Sequence, residues 1–285
     1  MDLILISGLS GSGKSVALRL LEDSGYNCVD NLPVTMLTRL TATLVEEGVS
    51  KMAVAIDARS GSGIDELPNQ LAALDKQGLR YRLLYLDARD EILLKRFSET
   101  RRKHPLGADD ITLLEAIRTE RQRVEPIAQF GHRIDTSDLK ANGLRAWVRQ
   151  FMELRSGDGL TLLFQSFGFK HGLPLDADLV FDVRCLPNPH YEPALQPLTG
   201  KDQPVMDFLL AQPEVLAMRE DIRAFVAKWL PSYIADNRSY LTVGIGCTGG
   251  QHRSVFIAEW LTTQFSGETS DARVLVRHRS MAGGA

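Results

Sequence analysis

The sequence predicts an α/β protein built from two parallel-sheet domains, over residues 1–154 and 155–285. Three observations carry this. Through the first half, short apolar runs alternate with amphipathic stretches of helical length, the pattern of parallel strands joined by crossover helices. Several of those runs end in an aspartate, namely Asp30, Asp57, Asp87 and Asp135, at the carboxyl edge where such sheets bind ligands. Twice, near residues 3–21 and 241–261, an apolar strand pattern passes through a glycine-rich turn directly into an apolar helical pattern.

The first of these turns is the most specific motif in the chain. Leu3-Ile4-Leu5-Ile6 leads into Gly8-Leu9-Ser10-Gly11-Ser12-Gly13-Lys14-Ser15 and then Val16-Ala17-Leu18, meeting the G-x-x-x-x-G-K-S spacing at every position. Glycines let backbone N–H groups close around a phosphate, and the following helix adds the positive end of its dipole. Lys14 then reaches the outer phosphates, and Ser15 offers a hydroxyl to Mg²⁺. The expected ligand is ATP, GTP or both, with Mg²⁺.

The next elements follow in order. A short strand over 26–30 stops at Asn31-Leu32-Pro33, a helix over 34–47 stops at Gly48, and a buried strand over 52–57 ends in Asp57. A helix over 63–76 with Gly78 as its stop precedes a strand over 82–87, and helices over 92–97 and 112–129, a strand over 133–136 and a helix over 139–154 complete the half. Asp57 and Asp87 both suit a metal-ordering role beside a phosphate loop, and both suit a helix N-cap. The pattern leaves that choice open. The basic run Lys95–His104, with five Lys or Arg against one Glu, fits a lid that brings arginines to a triphosphate, an RNA-backbone contact, or a solvated helix face.

Composition narrows the classes. The chain has 285 residues, 44% hydrophobic and 24% charged, with a formal net charge of −3, so a nucleic-acid contact needs a local basic patch. Cys28, Cys185 and Cys247 form no C-x-x-C pair, which fits reduced thiols. With no basic leader followed by an apolar run and no apolar stretch of about 18 residues, a cytoplasmic protein without membrane contact is expected.

A polar, glycine-rich stretch at 155–159 reads as a hinge. Beyond it, Leu241-Thr242-Val243-Gly244-Ile245-Gly246 runs into Cys247-Thr248-Gly249-Gly250-Gln251-His252-Arg253-Ser254. Cys-x₅-Arg between strand and helix is the pattern of a cysteine phosphatase loop: turn N–H groups surround a dianion, and Arg253 closes the ring with two parallel contacts. Cys247 is either a small buried residue or a nucleophile, and Gly249 and Gly250 are read as parts of the anion cradle. Asp182 and Arg184, at the end of a strand over 179–181, and His190, held between prolines, are candidates to converge on it.

Together the phosphate loop, Cys28-Val29-Asp30-Asn31-Leu32-Pro33, Ser166-Phe167-Gly168-Phe169-Lys170-His171-Gly172, Phe181-Asp182-Val183-Arg184 with Leu186-Pro187-Asn188-Pro189-His190, and the Cys247 loop resemble the RapZ family of bacterial nucleotide-binding proteins. The resemblance covers nearly the whole chain. It implies a kinase-like N-terminal domain with ATP contacts at Gly8 to Ser15 and a guanine-nucleotide segment at Asp57, Ala58, Arg59 and Ser60. It also implies a phosphofructokinase-like C-terminal domain sensing glucosamine-6-phosphate, an amino-sugar phosphate, through Asp182, Arg184, His190, Cys247, Thr248, Gly249, Gly250, His252 and Arg253. Well-known members are RNase adapters that present a small regulatory RNA to an endoribonuclease, and members form homo-oligomers, commonly tetramers. Adapter members carry a tail dense in Lys and Arg. Here the tail keeps Arg273, Arg277, His278 and Arg279 as RNA-binding candidates, and its last six residues are uncharged. The resulting reading is a regulatory adapter with at most weak NTPase activity, with a small-molecule kinase and a cysteine phosphatase as alternatives.

Overall fold

Leu3, Ile4, Leu5 and Ile6 are apolar without alternation because their strand is covered on both faces. All four are fully buried. The strand, β1 (Asp2–Gly8), is central in a parallel sheet of order β2-β3-β1-β4-β5, with β2 (Asn27–Val29), β3 (Lys51–Ala55), β4 (Tyr81–Asp87) and β5 (His132–Asp135). The computed structural model describes residues 1–108, 110–153, 160–236, 238, 240–268 and 272–281, with the backbone alone at 59–62, 267 and 268. The chain divides into two compact units, Met1–Gly157 and Asp158–Ala285. The predicted hinge at 155–159 lies outside the described residues.

In the first unit the crossover helices are α1 (Lys14–Asp23), α2 (Leu37–Glu46), α3 (Leu67–Lys76), α4 (Asp90–Thr100), α5 (Leu113–Ala128) and α6 (Ala141–Met152). Two starts differ from expectation. The helix predicted from 34 opens as a 3-10 turn, Val34–Met36, before α2, and the one predicted from 63 is a 3-10 segment, Ala58–Glu66, before α3. Pro68 explains the second boundary, since a residue without an N–H belongs in a helix's first turn. At α5 the start is sharp: Thr112 Oγ1 accepts from the Glu115 N–H while the Glu115 carboxylate accepts from the Thr112 N–H, a reciprocal cap.

The second unit holds a parallel sheet of order β7-β8-β6-β9, from β6 (Leu160–Gly168), β7 (Leu179–Asp182), β8 (Tyr240–Cys247) and β9 (Ala272–His278). β6 is buried at every position. Its core comes from α7 (Gln203–Leu210), α8 (Pro213–Ala235) and α9 (Arg253–Glu268), through Val205, Leu209, Ile222, Val226, Leu261 and Phe265 among others. Among the described residues no helix is long and apolar enough to cross a membrane. Both glycine-rich turns stand where expected, at the carboxyl ends of β1 and β8.

Candidate functional site

Each glycine of the first turn answers a separate steric demand. At Gly8, with φ +131°, a Cβ would lie 2.0 Å from the Leu86 carbonyl oxygen; at Gly13, with φ +114°, it would lie 2.5 Å from Leu144 Cδ2. No side chain fits at either place. The loop's carbonyls are taken by protein donors: Lys14 Nζ donates to Gly8 O (2.7 Å), Arg96 Nη1 to Gly11 O (3.0 Å) and Thr136 Oγ1 to Ser12 O (2.9 Å). Because C=O and N–H of one planar trans peptide point opposite ways, the Ser12 carbonyl held outward turns the Gly13 N–H to the inner side of the loop. Helix α1 then begins at Lys14, and Ser15 in its first turn is exposed.

The basic run after Asp90 splits. Arg96 turns inward, donating also to the Thr136 carbonyl (2.6 Å), whereas Arg101, Arg102 and Lys103 are exposed. His104 is buried.

Tertiary contacts separate the two aspartates that spacing left equivalent. Asp87, fully buried, accepts from the Ala88 N–H (2.7 Å), from Arg121 Nη1 (2.6 Å) and from Arg133 Nε (3.1 Å) and Nη2. Both of its oxygens anchor arginines, so it is the hub of a structural ion-pair network. Asp57 is 2% exposed and stands just past the end of β3. Mg²⁺ prefers hard oxygens and keeps waters and phosphate ligands. Ser15 and Asp57 fit that donor set. The Ser7 and Ser12 hydroxyls beside the loop are buried without a hydrogen-bond partner among the described residues. Ala58 is buried, and the side chains of Arg59 and Ser60 lie outside those described.

At the second turn, Cys247 ends β8 with its Sγ 3.1 Å from Ser254 Oγ and accepting the Gly250 N–H at 3.2 Å. Burial raises this thiol's pKa, but the Ser254 and Gly250 hydrogen bonds and the Arg253 charge outweigh it, leaving the pKa below the ordinary value. Arg253 is 3% exposed and donates through Nη1 to the carbonyls of Arg184 (2.9 Å) and Leu186 (2.8 Å). Its Nε has no hydrogen-bond partner among the described residues, and Nη2 is 3.4 Å from Thr248 Oγ1.

The other expected residues gather around this loop. Arg184 pairs with Asp182 (2.6 Å) and lies 3.9 Å above the Phe169 ring. The His190 and His252 rings are 6.3 Å apart; Gln196 Nε2 is 3.2 Å from His190 Nε2, and His252 Nε2 is 3.2 Å from the Leu195 carbonyl. Burial lowers the His252 pKa, favouring the neutral ring whose Nε2–H donates to that carbonyl. A Cβ on Gly249 would meet only Lys170, 3.9 Å from its Nζ. Lys170, within the Ser166–Gly172 motif, also donates its backbone N–H to the Thr248 carbonyl (3.2 Å), and sequence reading gave it no place beside the loop.

Family models decide the kinship. The RapZ-like N-terminal domain matches residues 1–156 and the RapZ C-terminal domain matches residues 160–282. The chain belongs to the RapZ family. Among RapZ-family relatives, a protein named nucleotide-binding protein from Dechloromonas aromatica is 66% identical over 283 residues, covering 99% of this chain and 100% of that one. One from Aromatoleum aromaticum is 62% identical, covering 99% and 96%. A shikimate kinase from Acinetobacter baumannii solved with shikimate is similar over 54% of this chain and 96% of that one, at 19% identity and a TM-score of 0.38.

At Gly250, φ +73°, a Cβ would lie 2.3 Å from Ser280 Oγ and 2.5 Å from the Gly168 N, so the loop packs closely on β6 there. Gly250→Ala is expected to lower the melting midpoint, at a cost of about 1–3 kcal/mol for the strained φ alone, as differential scanning calorimetry will show. One expectation needs correction in this RapZ-family chain, that for its tail. The tail arginines were read as a basic surface. They lie in and just after β9, a strand the sequence reading did not assign. Arg277 is 8% exposed and faces Asp176 (3.9 Å), and Arg279 is 7% exposed and donates to the Gly172 carbonyl (3.2 Å). His278 bridges Ser166 Oγ and Glu259 Oε1 at 2.8 Å each. Only Arg273 of the arginines escapes the buried class.

Proposed function

We propose that this RapZ-family protein is an ATP- and GTP-binding regulatory protein, a nucleoside triphosphatase of at most weak activity, whose C-terminal domain senses an amino-sugar phosphate such as glucosamine-6-phosphate. The carrying observation is the phosphate loop: glycines that admit no side chain, Lys14 at the start of α1, and Asp57 near the end of the neighbouring strand. ATP contacts fall to Gly8–Ser15 and the guanine-nucleotide segment to Asp57, Ala58, Arg59 and Ser60, with Mg²⁺ carried between the phosphates, Ser15 and Asp57. The domains are 1–154 for nucleotide and 155–285 for phosphosugar.

Phosphosugar recognition is assigned to the Nε/Nη2 edge of Arg253, Thr248, Gly249 and the Cys247 loop for the phosphate, with Asp182, Arg184, His190 and His252 around it. Family likeness supports an RNase-adapter role, with a small regulatory RNA and an endoribonuclease as partners, in a cytoplasmic homo-oligomer, commonly a tetramer in this family. Exposed Arg101, Arg102 and Lys103 with Arg273 supply the RNA charge, because Arg277 and Arg279 are buried. RNA binding is then expected to be sequence-tolerant and to weaken steeply with salt. One observation favours a cysteine phosphatase instead: the hydrogen-bonded Cys247 thiol with its lowered pKa.

Equilibrium titrations with ATP, GTP, glucosamine-6-phosphate and a small RNA at two salt concentrations, beside steady-state turnover, test the proposal. Saturable nucleotide and phosphosugar binding with slow turnover is the expected result. No nucleotide binding, or rapid phosphosugar turnover, overturns it. For the metal, Asp57→Asn is expected to weaken Mg²⁺-dependent nucleotide affinity. Asp87→Asn removes the counter-charge of Arg121 and Arg133 and is expected to cost about 3–5 kcal/mol of stability, read by thermal denaturation.

A further inference from the structure

A charged side chain lies behind the crown of the phosphate loop. Glu120, on α5, is 1% exposed. Its Oε2 accepts the Ser10 N–H (2.9 Å) and lies 3.0 Å from His104 Nε2; its Oε1 accepts the Ser10 hydroxyl (2.7 Å). His104 Nδ1 accepts the Leu106 N–H at 3.1 Å, so the proton sits on Nε2 and is donated to Glu120. Burial raises the Glu120 pKa, but His104, Lys14 and Ser10 together hold it below the ordinary carboxylate value. Three of the four acceptor positions of the carboxylate are filled, and the fourth is on Oε1.

A neutral glutamine could tie α5 to the loop through hydrogen bonds alone. An enclosed negative charge beside Lys14 instead opposes the binding of another anion, so its retention points to a use that requires a base. Glu120 is sealed from solvent, and Ser10, itself buried at 8% exposure, immediately precedes the exposed Gly11 in the loop. The hydroxyl of Ser10 can accept one proton while passing its own to Oε1.

We propose that Ser10 and Glu120 form a proton relay for attack on the terminal phosphate of the nucleotide, with His104 as the positioning residue that orients the carboxylate. This rests on the nucleotide-binding reading above. Water attacks the γ-phosphorus; the bond to the leaving diphosphate oxygen breaks and its electron pair leaves with the nucleoside diphosphate. The water proton passes to Ser10 Oγ as the Ser10 hydroxyl proton passes to Glu120 Oε1. After departure of inorganic phosphate the relay reverses and returns a proton to solvent.

The test measures ATP and GTP affinity and single-turnover hydrolysis separately, with Lys14→Ala as the control for the site itself. Glu120→Gln is expected to keep nucleotide Kd within about threefold, and Ser10→Ala and Glu120→Gln are each expected to lower the single-turnover rate at saturating nucleotide about 100-fold, the scale of general-base catalysis, with loss of the solvent deuterium isotope effect. His104→Ala is expected to lower turnover, and His104→Gln, which can replace the Nε2–H donor, to restore part of it. Ser10→Ala removes a single hydroxyl and reports on the relay even where Glu120→Gln fails to fold. Wild-type hydrolysis in Ser10→Ala, or nucleotide binding by the native protein without any hydrolysis, overturns the relay. Equal affinity in native protein and Lys14→Ala overturns the nucleotide site instead.

Discussion

Lys14→Ala is expected to weaken ATP and GTP binding by about 100-fold, the scale on which removal of one partner of a desolvated charge pair costs affinity. The ammonium is the loop's only side-chain cation among Gly8–Ser15, and nothing else in those residues replaces it. Its hydrogen bond to the Gly8 carbonyl is worth about 1 kcal/mol, and Gly8 and Gly13 hold the loop's shape by close backbone approach independently of Lys14. Isothermal titration with each nucleotide, beside a thermal melt, separates the two contributions. A lost affinity with a nearly unchanged melting midpoint is the expected pair of results; unchanged affinity removes the nucleotide-site assignment.

Arg253→Ala carries a double cost. In the phosphosugar reading it deletes the anion fork, and in the fold it strips the Arg184 and Leu186 carbonyls of their shared donor. At about 1–3 kcal/mol for each buried acceptor left unpaired, the variant is expected to melt well below the native protein as well as lose phosphosugar binding. Arg253→Lys keeps the charge without the planar fork, so it is expected to bind weakly while recovering part of the stability. Cys247→Ser keeps most of the affinity if the loop only binds. A phosphatase would form a covalent thiophosphate at Cys247 and lose turnover in Cys247→Ser. Detection of that intermediate by mass spectrometry would place the phosphatase reading first.

Much of the fold was legible because parallel strands covered on both faces read as apolar runs, as Leu3–Ile6 and Leu83–Leu86 do. β6 escaped for a related reason. Gln165 and Ser166 interrupt its apolar run, yet both are buried, and Ser166 is paired internally with His278, so polarity there does not mark a surface. β9 escaped because its arginines read as a basic tail, whereas Arg277 and Arg279 are enclosed against Asp176 and the Gly172 carbonyl.

The sequence by itself determined the two strand–turn–helix loops, since each is a contiguous run of glycines and donors between a strand and a helix, and short-range backbone geometry follows from adjacent residues. It likewise determined membership of the RapZ family, through five ordered motifs spread over the chain. Tertiary structure decided what each loop is wired to. Glu120 meets Ser10 across 110 residues, Arg121 and Arg133 hold both oxygens of Asp87, and Arg253 is held by carbonyls nearly 70 residues earlier. The strength of a charge depends on burial and on its partners, and both are set by residues that only the folded sheet brings within hydrogen-bond distance.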